Sequence, residues 1–394
     1  MISKLLPILG ITFIDIVGFS MLLPILPFFA QHFGASDVTI GILFGTFSAC
    51  QFFAGPLWGY VSDRVGRKMV LIVSQIGSTI GWLMLAFAHA LPTVFAARIL
   101  EGASGGNLSV TQAYVADLVE PERRPRAFSY VYAAFGAGMV LGPLFGWLLL
   151  QRFGFSAPFL AAAAFQLVTL VLTVVMLPES RSRDPEAKVV TFADIGRSLT
   201  DRRVSPIMLQ SWAISLGLYA WFGVFALLLQ TDLGFGPAQN SLFMVAFALV
   251  SFPMQAFAVG PIYEALGDRM GSNIGIACLV VAFAMVPFIH SIPSAIPTLV
   301  LFAGGMSIAR PGITSLLTRL APSNQRGAIL GSASSLDSLS GVLMPPVSTG
   351  LLQSFGSGWA GVPSLFFSSL ALVMGLFAQR RETRAPVGEA PPAN

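Results

Sequence analysis

The chain has 394 residues, 55% of them hydrophobic and only 10% charged, with a formal charge of +4 and a mean hydropathy of +0.78. A water-soluble domain uses about a quarter of its residues as charges to cover its surface, so this composition excludes a soluble globular protein and requires lipid as the covering solvent. The basic residues are spread over short loops and offer no nucleic-acid surface, and two cysteines in separate apolar runs, Cys50 and Cys278, form neither a disulfide framework nor a metal-ligand spacing.

A membrane-crossing helix takes about 20 mainly apolar residues, and such runs recur along the whole chain. The first, 5–33, is about twice the length of a signal-peptide core, carries Asp15 and shows no small-residue cleavage site, so it reads as a retained span. Further spans are predicted at 39–61, 69–89, 93–115, 126–150 and 157–177. A charge-rich stretch with Pro178 and Pro185 follows, and then 204–232, 239–263, 273–290, 295–318, 327–352 and 360–379. The expectation is an all-α membrane protein of twelve transmembrane helices: an N-terminal six-helix bundle over 1–177, a cytoplasmic linker over 178–203, a C-terminal six-helix bundle over 204–380 and a disordered tail over 381–394.

Inner loops of membrane proteins collect Lys and Arg. With the N-terminus inside, 19 of the 22 basic residues fall in inner loops, the linker or the tail, Arg98 and Arg310 lie within spans, and only Arg152 faces outward. Both termini are therefore expected in the cytoplasm, with the bundle in the plasma (inner) membrane. His32, His89 and His290 fall near outer span ends and are too scattered for a metal site.

The hinge between the second and third spans, GYVSDRVGRK (Gly59–Lys68), crowds Asp63, Arg64, Arg67 and Lys68 between two apolar runs. Positive-inside anchoring accounts for the cations but not for the acid or the two glycines. Gly59 lets a helix end lie close to a neighbour, and Gly66 permits a tight turn. Asp63 can cap a helix N-terminus or pair with an arginine of the other half, a latch that forms in one conformation and breaks in another. The second half repeats the arrangement thinly. In GPIYEALGDRMG, from Gly260, Glu264 falls on Asp63 and Gly267 on Gly66 at an offset of 201, while Pro345 falls on Pro143 and Arg326 on Arg124 at an offset of 202. Two concordant offsets indicate a duplicated six-helix unit.

Gly59, Asp63, Arg64, Gly66, Arg67 and Lys68 fill every position of a hinge that resembles the G-x-x-x-D-R-x-G-R-K signature of the major facilitator superfamily. In the fifth span, GAGMVLGPLFG (Gly136–Gly146) resembles the G-x-x-x-G-P-x-x-G pattern of drug/proton antiporters at Gly138, Gly142, Pro143 and Gly146. Small residues at this spacing let helices touch backbone to backbone, and Pro143 adds a kink. FIDIVGFSMLLPILP in the first span, ARILEGASGG and AYVADLVEPERR in the fourth, and APSNQRGAILGS before the eleventh are similar to the tetracycline-exporter branch. The resemblance implies two pseudo-symmetric six-helix bundles that expose a central site alternately to each side, and export of small molecules against protons. Tetracycline exporters carry further acids in spans three and nine. Here Gly81 stands nearest in the third, and 273–290 has no acid. The resemblance thus reaches the drug-exporting branch and stops short of a tetracycline specificity.

Five charges lie well inside spans: Asp15, Arg98, Glu101, Arg310 and Asp337. Each costs about 2.5–3.5 kcal/mol at mid-membrane, which makes each a functional candidate. Arg98 and Glu101 stand three apart and share a helix face. A cation favours the ionised form of a neighbouring carboxylate while apolar surroundings disfavour it, and a carboxylate held between the two can load and release a proton. The resemblance associates Arg98 with proton coupling. Asp15 and Glu101 are the carboxylates well inside the first half, with Asp337 the next candidate. Structural roles stand beside these: an Arg98–Glu101 pair that pins the fourth span, Asp15 bonding a neighbouring helix, and Asp337 joining a polar seam in SASSLDSLS. Arg310 either bonds carbonyls freed at a break before Pro311 or meets anionic substrates.

Candidate cavity residues in the first half are Phe19, Gln51, Asn107, Gln112 and Tyr132; in the second, Gln210, Trp221, Phe222, Gln255 and Arg310. A cavity with few polar groups suits amphipathic, drug-like compounds. The chain has no G-x-x-x-x-G-K-[ST] loop, so an ion gradient rather than a nucleotide must supply the energy, and no cofactor is expected. The expected activity is proton-coupled antiport of lipophilic or cationic drug-like molecules by a monomer that is not an enzyme. A proton-coupled transporter of a metabolite, such as a sugar, amino-acid derivative or siderophore, is the alternative on the same fold.

Overall fold

The computed structural model describes residues 2–105, 107–120, 124–180, 192–201, 203–320 and 326–384. In lipid no water satisfies backbone N–H and C=O groups, so each apolar run must close its own hydrogen bonds as a helix. The first half contains α1 (Ile2–Leu22), α2 (Leu26–His32), α3 (Asp37–Val65), α4 (Arg67–Ala86), α5 (Leu91–Ser104), α6 (Asn107–Leu118), α7 (Arg124–Phe153) and α8 (Ser156–Met176). A short α9 (Phe192–Thr200) lies in the linker. The second half contains α10 (Ser205–Leu233), α11 (Pro237–Pro253), α12 (Val259–Ala284), α13 (Ile292–Leu320), α14 (Arg326–Phe355), α15 (Ser357–Ala360) and α16 (Val362–Arg384).

Local chemistry sets the breaks. Ser36 starts α3, its hydroxyl accepting from the Thr39 N–H at 3.2 Å, with Asp37 in the first turn to complement the helix dipole. Gly66 ends α3 at φ 116° and α4 begins at once. Pro24 splits the first pass into α1 and α2, and extended Gly105 splits the fourth into α5 and α6. The eighth and ninth passes differ from the expected ranges. They are continuous through a π turn, Met254–Ala258, and the pass boundary is a bend at Gly267, φ 75°, inside α12. Among the described residues nine helical stretches are long and apolar enough to cross a membrane, and one of these, Pro237–Ala284, carries two passes across that bend. The split α5–α6 pass and the serine-rich α14 complete twelve.

The linker contributes a helix, α9, which packs on α10 and α14, with Ser198 Oγ 3.4 Å from Ser332 Oγ. Residues 381–384 continue α16 rather than starting the tail, and 385–394 lie outside the described residues.

Each half closes on itself: α1 packs on α7 and α8, and α4 on α5 and α8, while α10 packs on α14 and α16, and α12 on α13 and α16. Two seams join the halves, α3 with α14 and α7 with α11. These are passes 2 with 11 and 5 with 8, pairs that a six-pass shift exchanges, as the internal repeat requires. In the first seam an added Cβ at Gly41 would stand 2.7 Å from the Pro345 carbonyl oxygen, and one at Gly45 3.0 Å from that of Val342. In the second, Gly136 faces the Phe252 ring. At the same end as Gly41, Gln31 and Gln230 exchange two amide hydrogen bonds of 3.1 Å across the halves. Toward the hinge end of α3, Phe53 and Leu57 are exposed, and no described atom lies within 4 Å of the position a Cβ on Gly55 would take. Among the described residues the halves are thus shut at the Gln31 end.

Candidate functional site

The basic hinge is built around Arg67, whose buried guanidinium collects three groups. Nη2 meets Asp63, four residues earlier, at 2.5 Å; Nη1 donates to Ser62 Oγ at 2.5 Å; Nε meets Asp117, at the end of α6, at 3.3 Å. Arg64 lies over the Tyr60 ring at 4.4 Å, and Lys68 Nζ donates to the Val174 carbonyl at 2.8 Å, closing the C-terminal turn of α8. Glu179, just beyond α8, supplies an anion to the start of α4: its Oε1 accepts from the Arg67 N–H at 2.7 Å, and its Oε2 from the Lys68 N–H at 3.3 Å. The hinge thus ties passes 2, 3, 4 and 6 of one half together. One detail differs from the sequence reading. Among the described residues Gly59 makes no close approach, since no described atom lies within 4 Å of the position a Cβ would take. The Asp63–Arg67 pair lies within one half.

At the equivalent turn of the second half, Asp268 follows Gly267. Its Oδ2 accepts from Ser315 Oγ at 2.7 Å and meets Arg319 Nε at 3.3 Å. At the repeat offsets of 201 and 202, Asp268 falls on Arg67 and Arg319 on Asp117. The second half holds the same bond with its charges exchanged. The offsets were legible in the sequence, but only the fold shows which residues meet.

The fifth-pass motif packs inside its own half. Gly138, Gly142 and Gly146 lie against Ile16, Val17 and Met21 of α1, and Ser20 Oγ donates to the Gly138 carbonyl at 3.0 Å. The α7 glycines remove the side chains that would otherwise stand between these two helices.

The interior charges fall in two places. Arg98 and Glu101 form an ion pair in α5, 2% and 5% exposed, with the guanidinium 4.1 Å from the Phe47 ring centre. Arg98 Nε and Glu101 Oε1 find no hydrogen-bond partner among the described residues. Glu101 fits because α4 offers no side chain opposite: a Cβ on Gly81 would lie 2.6 Å from Glu101 Cγ. The acid of this half therefore stands on the fourth pass, in the space a third-pass side chain would fill. Asp15 is on α1, which packs against α7 and α8 rather than α5. Its neighbour one turn on, Phe19, reaches Phe47, the ring that covers Arg98 (ring centres 6.1 Å).

In the second half Arg310, Ser215 and Asp337 meet. Arg310 Nη2 lies 3.0 Å from Asp337 Oδ2 and 2.9 Å from Ser215 Oγ, and Ser215 Oγ donates to Asp337 Oδ1. The α13 helix runs on through Pro311, and this carboxylate and Ser215 hold Arg310. At 42% and 28% exposed, Arg310 and Asp337 are far more open than the Arg98–Glu101 pair. Ser215, which the sequence reading missed, lies ten residues into α10, about 15 Å along its axis.

The proposed cavity residues divide. Phe19, Gln51, Gln112 and Phe222 are half-buried, with Gln51 beside the break at Gly105. Gln210 is instead buried inside the second half, donating to Asn273 at 3.3 Å. Trp221 is buried in an aromatic cluster with Phe225, Phe283 and Phe302. Gln255 is exposed on the π turn. The side chains of Asn107 and Tyr132 lie outside the described residues.

A family model described as "Major Facilitator Superfamily" matches residues 8–230 and again 207–393, one match for each half. The chain is 29% identical to the class C tetracycline resistance protein of Escherichia coli over 390 residues, covering 94% of this chain and 95% of that one. It is 27% identical to multidrug resistance protein 2 of Bacillus subtilis (strain 168), covering 84% of each. Among solved structures it superposes on the human organic anion transporter MFSD10 (TETRAN) with a TM-score of 0.74 at 21% identity, covering 94% of this chain and 98% of that one. A POT family transporter in complex with 5-aminolevulinic acid gives 0.81 at 14% identity, covering 97% and 96%.

Proposed function

We propose that this chain, which belongs to the major facilitator superfamily, exports lipophilic or cationic drug-like molecules in exchange for protons, by alternating access. The observation that carries the reading is the fit of the Gly138–Gly142–Gly146 face against α1, the antiporter motif in close-packed form. It is supported by resistance proteins among the relatives, which match nearly the whole length of the chain. The basic end faces the cytoplasm of a bacterial-type cell, with both termini inside and the protein working as a monomer. The conformation described is then open inward: the Gln31–Gln230 pair and the Gly41–Gly45 seam shut the outside.

Protons enter through the interior carboxylates Asp15, Glu101 and Asp337. Each proton driven inward by 100 mV supplies about 2.3 kcal/mol, and it reaches the substrate only if protonation changes which state is favoured. Asp337, bonded to Arg310 and Ser215 and partly open, is a group whose neutralisation would release a cation into the cleft. The test is a susceptibility panel in a host stripped of its own pumps, with and without an uncoupler. Raised resistance to several amphipathic compounds that the uncoupler abolishes is the expected outcome. Unchanged susceptibility throughout, with the protein present in the membrane, would overturn the proposal.

A further inference from the structure

The turn of α13 that carries Arg310 is held from another pass. Pro311 has no N–H to donate to the Ser307 carbonyl. One residue on, the Tyr263 hydroxyl accepts from the Gly312 N–H at 2.8 Å and donates to the Ile308 carbonyl. Those are the two groups that an α-helix joins to each other. A side chain set into this ladder is, like a proline, among the few things that redirect a helix. The place is made for it. A Cβ on Gly312 would lie 2.6 Å from Tyr263 Oη, and one on Gly271, across the Gly267 bend, 2.7 Å from the Tyr263 ring. The first half is built differently. At the offset of 202 Ser307 falls on Gly105, where the fourth pass breaks between α5 and α6. At 201 Tyr263 falls on Ser62, whose hydroxyl serves Arg67.

We infer that Tyr263 is a positioning residue for the Arg310–Asp337 site. Arg310 lies within the turn that the hydroxyl spans, between Ile308 and Gly312, so the hydroxyl sets where the guanidinium stands relative to Asp337 and Ser215. Tyr263 itself belongs to the eighth pass, which forms a seam with α7 of the other half. A shift of that pass against α7 is thereby delivered to Arg310, and the cation moves with the seam. The inference rests on the reading that this ion pair takes part in proton-coupled export; its geometric part stands without it.

Tyr263→Phe keeps the ring and removes both hydroxyl bonds. Thermal unfolding of the full chain in detergent is compared for the parent, Tyr263→Phe, Asp337→Asn and the double variant. If the hydroxyl acts by placing Arg310 on Asp337, Tyr263→Phe lowers the unfolding temperature by less than half as much once Asp337→Asn is present. A packing role alone would give additive losses. Export is then followed in inverted vesicles with the panel compounds to which the protein confers resistance. Tyr263→Phe is expected to lower the rate about fivefold, the scale of a lost hydrogen bond, with the half-saturating concentration unchanged. Gly312→Ala, whose methyl crowds the hydroxyl out of the turn, is expected to do the same. Should the parent export none of the panel, the functional reading fails and the unfolding comparison still decides the placement of Arg310. Equal losses of stability in both backgrounds, whether large or nil, overturn the inference, as does export by Tyr263→Phe with the parent's kinetics.

Discussion

The α1–α7 contact can be tested by size alone. An added Cβ at Gly142 would stand 2.5 Å from the Val17 carbonyl oxygen and closer still to Ser20 Oγ, whereas ordinary contact begins at 3.4 Å. The shortfall against the carbonyl is about 0.9 Å, and because it falls on backbone no rotamer change relieves it. A single methyl forced into packed structure costs about 1–3 kcal/mol. Parting the helices would also stretch the Ser20–Gly138 bond, and such bonds contribute about 0.6 kcal/mol on average in membranes. Gly142→Ala is therefore predicted to lower thermal stability in detergent and to slow export in inverted vesicles. Gly142→Leu is predicted to lose antiport or to leak protons, read as collapse of an imposed pH gradient. Adding Ser20→Gly to Gly142→Ala removes the nearer clash and is predicted to recover part of the loss. Gly59→Ala, where nothing described lies within 4 Å, is the matched control and is predicted to leave stability unchanged. A Gly142→Leu protein that transports like the parent, or Gly142→Ala and Gly59→Ala behaving alike, would refute close packing as the motif's role.

Asp63→Asn removes one of the two carboxylates on Arg67 and leaves Asp117. It is predicted to insert normally but to lose most transport in reconstituted vesicles, and full activity there would count against a gating role. Asp15→Asn, Glu101→Gln and Asp337→Asn, singly and combined, are predicted to separate uphill export from substrate binding. If every one of them drives uphill export with the parent's pH dependence, none of these acids carries the proton. Arg98→Ala strands Glu101 in an apolar site and is predicted to destabilise by about 3–5 kcal/mol, to be compared by thermal unfolding with the milder Glu101→Gln. Gln31→Cys with Gln230→Cys is predicted to cross-link under mild oxidation and to arrest transport reversibly, with reductant restoring it. Efficient transport by the cross-linked protein would show that this end need not open.

Burial of apolar runs in lipid leaves the backbone one solution, so the number of passes, their halves and the repeat were all legible along the chain. Local chemistry was legible too: Gly66 and Gly267 read as a repeated pair, and both adopt positive φ. The sequence also marked Arg98, Glu101, Arg310 and Asp337 as charges that must find partners, because an unpaired charge in lipid is expensive. For Arg98 and Glu101 helical spacing named the partner. For Arg310 it could not, since Ser215 and Asp337 come from passes 7 and 11 and only packing brings them together. Gln210 and Trp221 show the converse limit. Residue type marks both as able to face a cavity, but in a helix surrounded on nearly every side, rotation about the axis decides what each one touches. α10 turns both inward, to Asn273 and to the aromatic cluster. The Asp268–Arg319 bond, Glu179 on the α4 amides and the Gln31–Gln230 pair are likewise tertiary, joining residues 51, 112 and 199 positions apart. No local propensity ties such distant residues together; the arrangement of two similar bundles does.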